Sequence, residues 1–221
     1  PMARAANDTA ARDIASLIHP YTNQDKHRTD GPMVIRKGDG VFVETDDGRR
    51  YLEGMAGLWS ASLGFSEPRL VEAATRQMKQ LPFHHLFGGK SNEPAIDLAE
   101  ELLSIAPPNL KKALFANSGS EANDQAAKIV WYYHNAIGKP RKKKIISRVR
   151  GYHGVTVYSG SLTSQPINHA DWDLPLGGVL RTDAPSHYIY GLPGESETAF
   201  VDRIVGNLEN LILREGPETI G

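Results

Sequence analysis

The chain has 221 residues, 40% of them hydrophobic and 23% charged, which is enough apolar material for one substantial core and too much for a disordered segment. Its 25 Lys and Arg balance 26 Asp and Glu to a formal net charge of −1, so the basic field that marks a nucleic-acid or membrane-surface binder is missing. Cysteine is absent, which excludes disulfides, thiol catalysis and thiolate metal sites and fits a reducing compartment.

Pro1-Met2-Ala3-Arg4 leads into no signal-type apolar region, no apolar run approaches the ~20 residues of a membrane span, and the expected location is cytoplasmic. Pro1 reads as an addition ahead of a natural start at Met2. Residues 1–30 form a polar arm with one short amphipathic turn around Ile14, Leu17 and Ile18. From Met33 to Leu52, short alternations at Val34/Ile35 and Val41/Phe42/Val43 are punctuated by Gly38-Asp39-Gly40 and Asp46-Asp47-Gly48, a hairpin pattern. Gly54 to Gly64, rich in Gly, Ala and Ser around Trp59, is too permissive for regular structure and too apolar for a solvated loop. Ser66 is expected to cap a helix carrying Leu70, Val71, Ala74 and Met78 on one face and ended by Pro82. A second helix is predicted from Glu93 to Ile105, stopped by Pro107-Pro108.

Strands and helices then alternate. A strand at Ala113–Ala116 leads through Asn117-Ser118-Gly119-Ser120 into a helix from Glu121 to about Ile137, closed by Gly138 and Pro140. A strand at Ile145–Val149, a long irregular stretch and a helix from Glu197 to Arg214 follow. This order predicts an α/β fold, a mainly parallel sheet wrapped by helices. The last residues read as the start of another strand at Thr219-Ile220, so the sheet is left unfinished and the chain reads as truncated.

Two turns could carry chemistry. Ser118-Gly119-Ser120-Glu121 lies between a buried strand and a helix start, where free backbone N–H groups and the helix dipole attract an anion such as a phosphate. The same tetrad is a capping box, the commoner meaning of such a pattern by itself, and the two roles are compatible. Gly151-Tyr152-His153-Gly154 directly follows a strand, where α/β sheets line their ligand crevice, and its aromatic and imidazole could cover a flat ring; alone, a packed tyrosine beside a satisfied histidine is the simpler meaning. Other patterns fail. Gly88-Gly89-Lys90-Ser91 lacks the earlier glycine and the strand of a P-loop, and adjacent His84 and His85 should point apart, so no metal site is expected. Asn7-Asp8-Thr9 fits a glycosylation triplet without a secretion signal to give it meaning.

Taken in order, Asn117-Ser118-Gly119-Ser120-Glu121-Ala122-Asn123 and Arg150-Gly151-Tyr152-His153-Gly154 resemble the class III aminotransferases, pyridoxal-phosphate enzymes of fold type I. Gly54-Met55-Ala56-Gly57-Leu58-Trp59 and His19-Pro20-Tyr21-Thr22 narrow the likeness to the branch acting on amines and ω-amino acids with pyruvate as acceptor.

The resemblance implies that Gly119, Ser120 and, less centrally, Ser118 hold the phosphate of pyridoxal 5'-phosphate. Tyr152 would stack on its ring with His153 in support. Trp59, Tyr21 and Tyr152 would wall the substrate pocket, and Phe87 would reach into the neighbouring site of a homodimer. It further implies an N-terminal arm and small-domain segment over 1–60 and the first part of a large cofactor domain over 61–221. The Schiff-base lysine is expected beyond Gly221, leaving no catalytic residue within the chain; Lys142, Lys143 and Lys144 read as a solvated lead-in to a strand. The implied reaction moves an amino group from an amine or ω-amino acid to a 2-oxo acid by a ping-pong mechanism. The alternatives are a racemase or decarboxylase on the same scaffold, or a non-catalytic fragment binding phosphate-like ligands.

Overall fold

A computed structural model describes residues 8–221; Pro1, Met2 and the Asn7 of the glycosylation triplet lie outside the described residues. The chain forms two compact units, one ending at Leu98 and the other beginning at Ala99, a division that falls within helix α5 (Glu93–Ile105).

In the N-terminal unit, Asp8 caps α1 (Thr9–Ser16) by accepting the Ala10 N–H, and Asn23 caps α2 (Gln24–Asp30) by accepting that of Lys26. The polar arm is tied internally. The Asp13 carboxylate accepts from His19 Nε2 at 2.7 Å and from His27 Nε2 at 3.1 Å, and the two imidazoles lie 4.4 Å apart. Tyr21 occupies the turn between the two helices at a φ of 51°.

The hairpin pattern becomes an antiparallel meander of β1 (Ile35–Asp39), β2 (Phe42–Thr45) and β3 (Arg50–Leu52), with Val43 opposite Gly38 and Tyr51. Buried Val43 and Thr45 alternate with exposed Glu44, the period expected of a half-covered sheet. Gly38 lies so close to Phe65 that an added Cβ would meet the phenylalanine Cβ at 2.6 Å, so a bare backbone is required where Gly40 and Phe65 pair. Gly54 to Gly64 contains α3 (Ala56–Trp59), a single turn of left-handed sense.

Helix α4 (Pro68–Gln80) begins one residue later than expected. Glu67, not Ser66, supplies the cap by accepting the Arg69 N–H. Ser66 adopts a φ of 60° and donates its hydroxyl to the Gly38 carbonyl, 2.8 Å away, which removes it from the helix end. The segment after α4 curls into a 3-10 turn at Phe87–Gly89. The rings of His84 and His85 therefore lie 4.8 Å apart rather than pointing apart, and His85 is stacked with Phe87.

The C-terminal unit carries the alternating grammar. Helix α6 (Gly119–Ala136), β4 (Ile145–Arg148), α7 (Val157–Leu162), β5 (Val179–Thr182), α8 (His187–Tyr190) and α9 (Glu197–Glu215) follow one another, and β4 pairs with β5 in parallel. Phe200, Ile204 and Leu211 bury one stripe of α9, with Ala127 of α6 and Leu162 of α7 also in the core.

Three expectations change here. Ala113–Ala116 is assigned no strand and has no ladder partner among the described residues, and Leu114 is exposed. The irregular stretch after Val149 holds α7 and β5, each too short to show a period. The lysine run is not solvated. Lys142, Lys143 and Lys144 are all half-buried, and Lys143 donates to the Trp131 carbonyl and Asn135 Oδ1 while Lys144 pairs with Glu215 at 2.9 Å. Lys142 donates to the Pro217 and Ile220 carbonyls, so all three ammonium groups find acceptors within the unit. Residues at the end do enter the sheet, since Ile220 forms a parallel bridge with Lys144.

Candidate functional site

The site is assembled in the C-terminal unit where the start of α6 meets the turn after β4. Ser118, in extended conformation, caps α6, and its side chain accepts the Glu121 N–H at 3.2 Å. Glu121 reaches back to accept the Asn117 N–H at 2.9 Å, so the capping box forms one residue wider than its usual register. With Ser118 and Glu121 serving each other's neighbours, the N–H groups of Gly119 and Ser120 stand ahead of the first intrahelical acceptor, at the positive end of an 18-residue helix. Space beside Gly119 is open, with nothing within 4 Å of where a Cβ would stand.

Ser120 joins the two turns. Its Oγ accepts the Val155 N–H at 3.0 Å, which leaves the hydroxyl hydrogen free to be donated elsewhere. Farther along α6, Asn123 donates to the His153 carbonyl at 2.6 Å, and the Asp124 carboxylate accepts the Ser159 N–H at 2.9 Å. From behind, buried Thr163 accepts the His153 N–H and donates to the Gly154 carbonyl, both at 2.9 Å. Gly154 is the residue that allows this closeness: at a φ of 131° an added Cβ would meet Ser120 Oγ at 2.5 Å and also strike Ser159 Oγ. The turn is thereby clamped on both sides, while Tyr152, at its apex, presents a ring that is 56% exposed.

His153 does the reverse of Tyr152. Its ring is turned inward over Gly151, where a Cβ would meet Nε2 at 2.8 Å, and that Nε2 is buried without a hydrogen-bond partner among the described residues.

The structure thus brings Ser118, Gly119, Ser120 and His153 into one bonded constellation, with Tyr152 carried on it. Asn123, Asp124, Ser159 and Thr163 were missed in the sequence. Asn123 was within reach, one helical turn on from Ser120, whereas Ser159 and Thr163 are isolated small polar residues with no pattern. Tyr21, Trp59 and Phe87 belong to the N-terminal unit, where all three rings are largely exposed. Trp59 is carried by the left-handed α3 turn and Phe87 by the 3-10 turn. Ligand-capable atoms of Asp13, His19 and His27 come within 4.8 Å of one another, a grouping not foreseen because the three residues are spread over fifteen positions.

Residues 23–220 match the profile of the family described as aminotransferase class-III. Gamma aminobutyrate transaminase 3, chloroplastic, of Solanum lycopersicum is 49% identical over 97% of this chain and 42% of its own length. Vanillin aminotransferase of Capsicum chinense is 46% identical over 99% of the chain and 47% of its own length. Among solved structures, the omega transaminase from Pseudomonas jessenii in complex with PMP superposes with a TM-score of 0.95 at 54% identity, over 97% of this chain and 47% of that one. The chain spans a little under half the length of the relatives it matches.

Proposed function

The chain belongs to the class III aminotransferase family, and from that premise we propose that, continued to the length of its relatives, it catalyses pyridoxal-phosphate-dependent transfer of an amino group from an amine or ω-amino acid to a 2-oxo acid, pyruvate being the expected acceptor. Its fold is that of the fold type I transaminases, of which it covers about half. The observation that supports the reading is the hydrogen bond from the Val155 N–H to Ser120 Oγ, which ties the start of α6 to the turn that bears exposed Tyr152.

The residues present fit the cofactor. The Gly119 and Ser120 N–H groups and the free hydrogen of the Ser120 hydroxyl would hold its phosphate, with Ser118 at the rim. Tyr152 would lie against its ring, and His153 would support from the buried side. When bound, pyridoxal phosphate supplies an electron sink for the carbon that loses its proton. This chain's part would be orientation: Gly119, Ser120 and Ser118 would hold the phosphate and Tyr152 would cover the ring, which together would restrict how the bound group can turn. Tyr21, Trp59 and Phe87 would form aromatic walls suited to an apolar or extended amine, Phe87 serving the neighbouring subunit of a homodimer. The domain division at 1–60 and 61–221 belongs to this reading.

Alanine formation from pyruvate with a panel of aryl and aliphatic amines, assayed on the full-length protein carrying cofactor, tests it. Stoichiometric alanine and carbonyl product are expected; release of carbon dioxide or racemised amino acid without alanine would refute it.

A further inference from the structure

The one segment of the described chain where successive side-chain-bearing residues are forced into the left-handed region is the turn that carries Trp59. Ala56, Gly57, Leu58 and Trp59 have φ values of 48°, 59°, 57° and 65°. Only glycine accepts this region without a steric penalty, and single residues rather than runs are the rule. Three side-chain-bearing residues among four consecutive left-handed positions, two of them adjacent, therefore need an external hold. Within the backbone, Trp59 N–H donates to the Met55 carbonyl and Ala61 N–H to that of Ala56, both at 2.8 Å. These bonds close the turn but do not select its hand.

Glu53 makes that selection. One of its carboxylate oxygens accepts the Met55 N–H at 3.1 Å, and the other accepts the Gly57 N–H in a short hydrogen bond. Both amides precede Leu58 and Trp59, so the carboxylate ties down the start of the left-handed turn. Glu53 is itself anchored to the meander, its N–H donating to the Val41 carbonyl at 2.9 Å. Nothing comparable holds the Trp59 ring, which is 75% exposed, so its direction is set by the backbone beneath it.

We propose that Glu53 is a positioning residue for substrate selection: by bridging the Met55 and Gly57 amides it locks the left-handed turn and so aims the Trp59 indole. The consequence for substrate size rests on the reading of Trp59 as a pocket wall; the coupling of Glu53 to Trp59 does not.

The test uses full-length holoenzyme labelled with 5-fluorotryptophan, with the Trp59 resonance assigned through Trp59→Phe. In Glu53→Ala and in the isosteric Glu53→Gln, the Trp59 fluorine signal should shift or split while those of Trp131 and Trp172 stay in place. An unchanged Trp59 signal in both variants overturns the proposal, and so does simultaneous collapse of the Trp59, Trp131 and Trp172 signals in both, which would make Glu53 a general stability residue. In the kinetic arm, Glu53→Ala should relax discrimination between a bulky arylalkyl amine and a small alkyl amine about 10-fold, and should do so in the wild-type background but not in Trp59→Ala. An equal effect in both backgrounds also overturns it. Absence of turnover with every amine in the wild type, with the Trp59 signal still responding to Glu53, would instead refute the functional reading and leave the positioning role standing.

Discussion

Ser120 Oγ accepts the Val155 N–H at 3.0 Å across 35 residues of sequence, and this single bond fuses the helix terminus to the turn that bears Tyr152. Ser120→Ala removes the acceptor for Val155 and, on the proposed function, a donor to the phosphate. Cofactor retention in the full-length protein, followed by equilibrium dialysis, should weaken about 10- to 150-fold, the equivalent of a hydrogen bond to a charged group. Unchanged retention would take Ser120 out of the cup.

Asn123 and Tyr152 should separate in their effects. Asn123 spends its amide on the His153 carbonyl, so Asn123→Ala is expected to cost about 1–3 kcal/mol of stability in addition to loosening the cofactor. Tyr152 is exposed and makes no comparable tie, so Tyr152→Ala should loosen the cofactor at nearly unchanged apoprotein stability. Thermal melts of both apo variants beside dialysis of cofactor check the contrast.

Gly154→Ala introduces a Cβ against Ser120 Oγ at 2.5 Å and Ser120 Cα at 2.8 Å, at a backbone conformation suited to glycine. Overpacking of this kind costs about 1–3 kcal/mol, and it should also abolish cofactor retention by driving the two turns apart. Gly177, with nothing within 4 Å of its added Cβ, is the control, and Gly177→Ala should be close to neutral in the same melts.

Acid sensitivity should centre on Glu195. The Arg203 guanidinium, donating from Nε and Nη2 at 2.8 Å, and the Leu192 N–H together hold this carboxyl down at about 2, against an ordinary 4.5. Because the folded value is depressed, its stabilisation is complete above the ordinary carboxylate range and is lost as pH falls from 4.5 through about 2. Glu195→Gln should be less stable than wild type at pH 7, and the difference should shrink across that window. A difference independent of pH would contradict the assignment.

The helices at Glu93–Ile105 and Glu197–Glu215 were legible from long apolar periodicity, with Pro107-Pro108 marking the end of the first. The Ser118 turn was legible for the same reason: a hydroxyl-rich tetrad followed by a helix is a local feature. What the sequence hid was pairing at a distance. Ser66 carries the signature of a helix cap, yet the carbonyl of Gly38 competes for its hydroxyl. Lys142, Lys143 and Lys144 look like a solvated charge run, yet their ammonium groups bond to Ile220, Trp131 and Glu215, two of which lie far away in the sequence. Ala113–Ala116 reads as a strand from composition, but a ladder needs a partner and none is present among the described residues. Thr163, buried and bonded to both His153 and Gly154, has nothing in its neighbourhood to announce it.

The most direct measurement follows nitrogen. Full-length holoenzyme given a 15N-labelled amine without acceptor should release one equivalent of carbonyl product per subunit and stop; pyruvate added after removal of free amine should then yield one equivalent of 15N-alanine. Alanine without label, or no carbonyl product in the first step, would contradict the account.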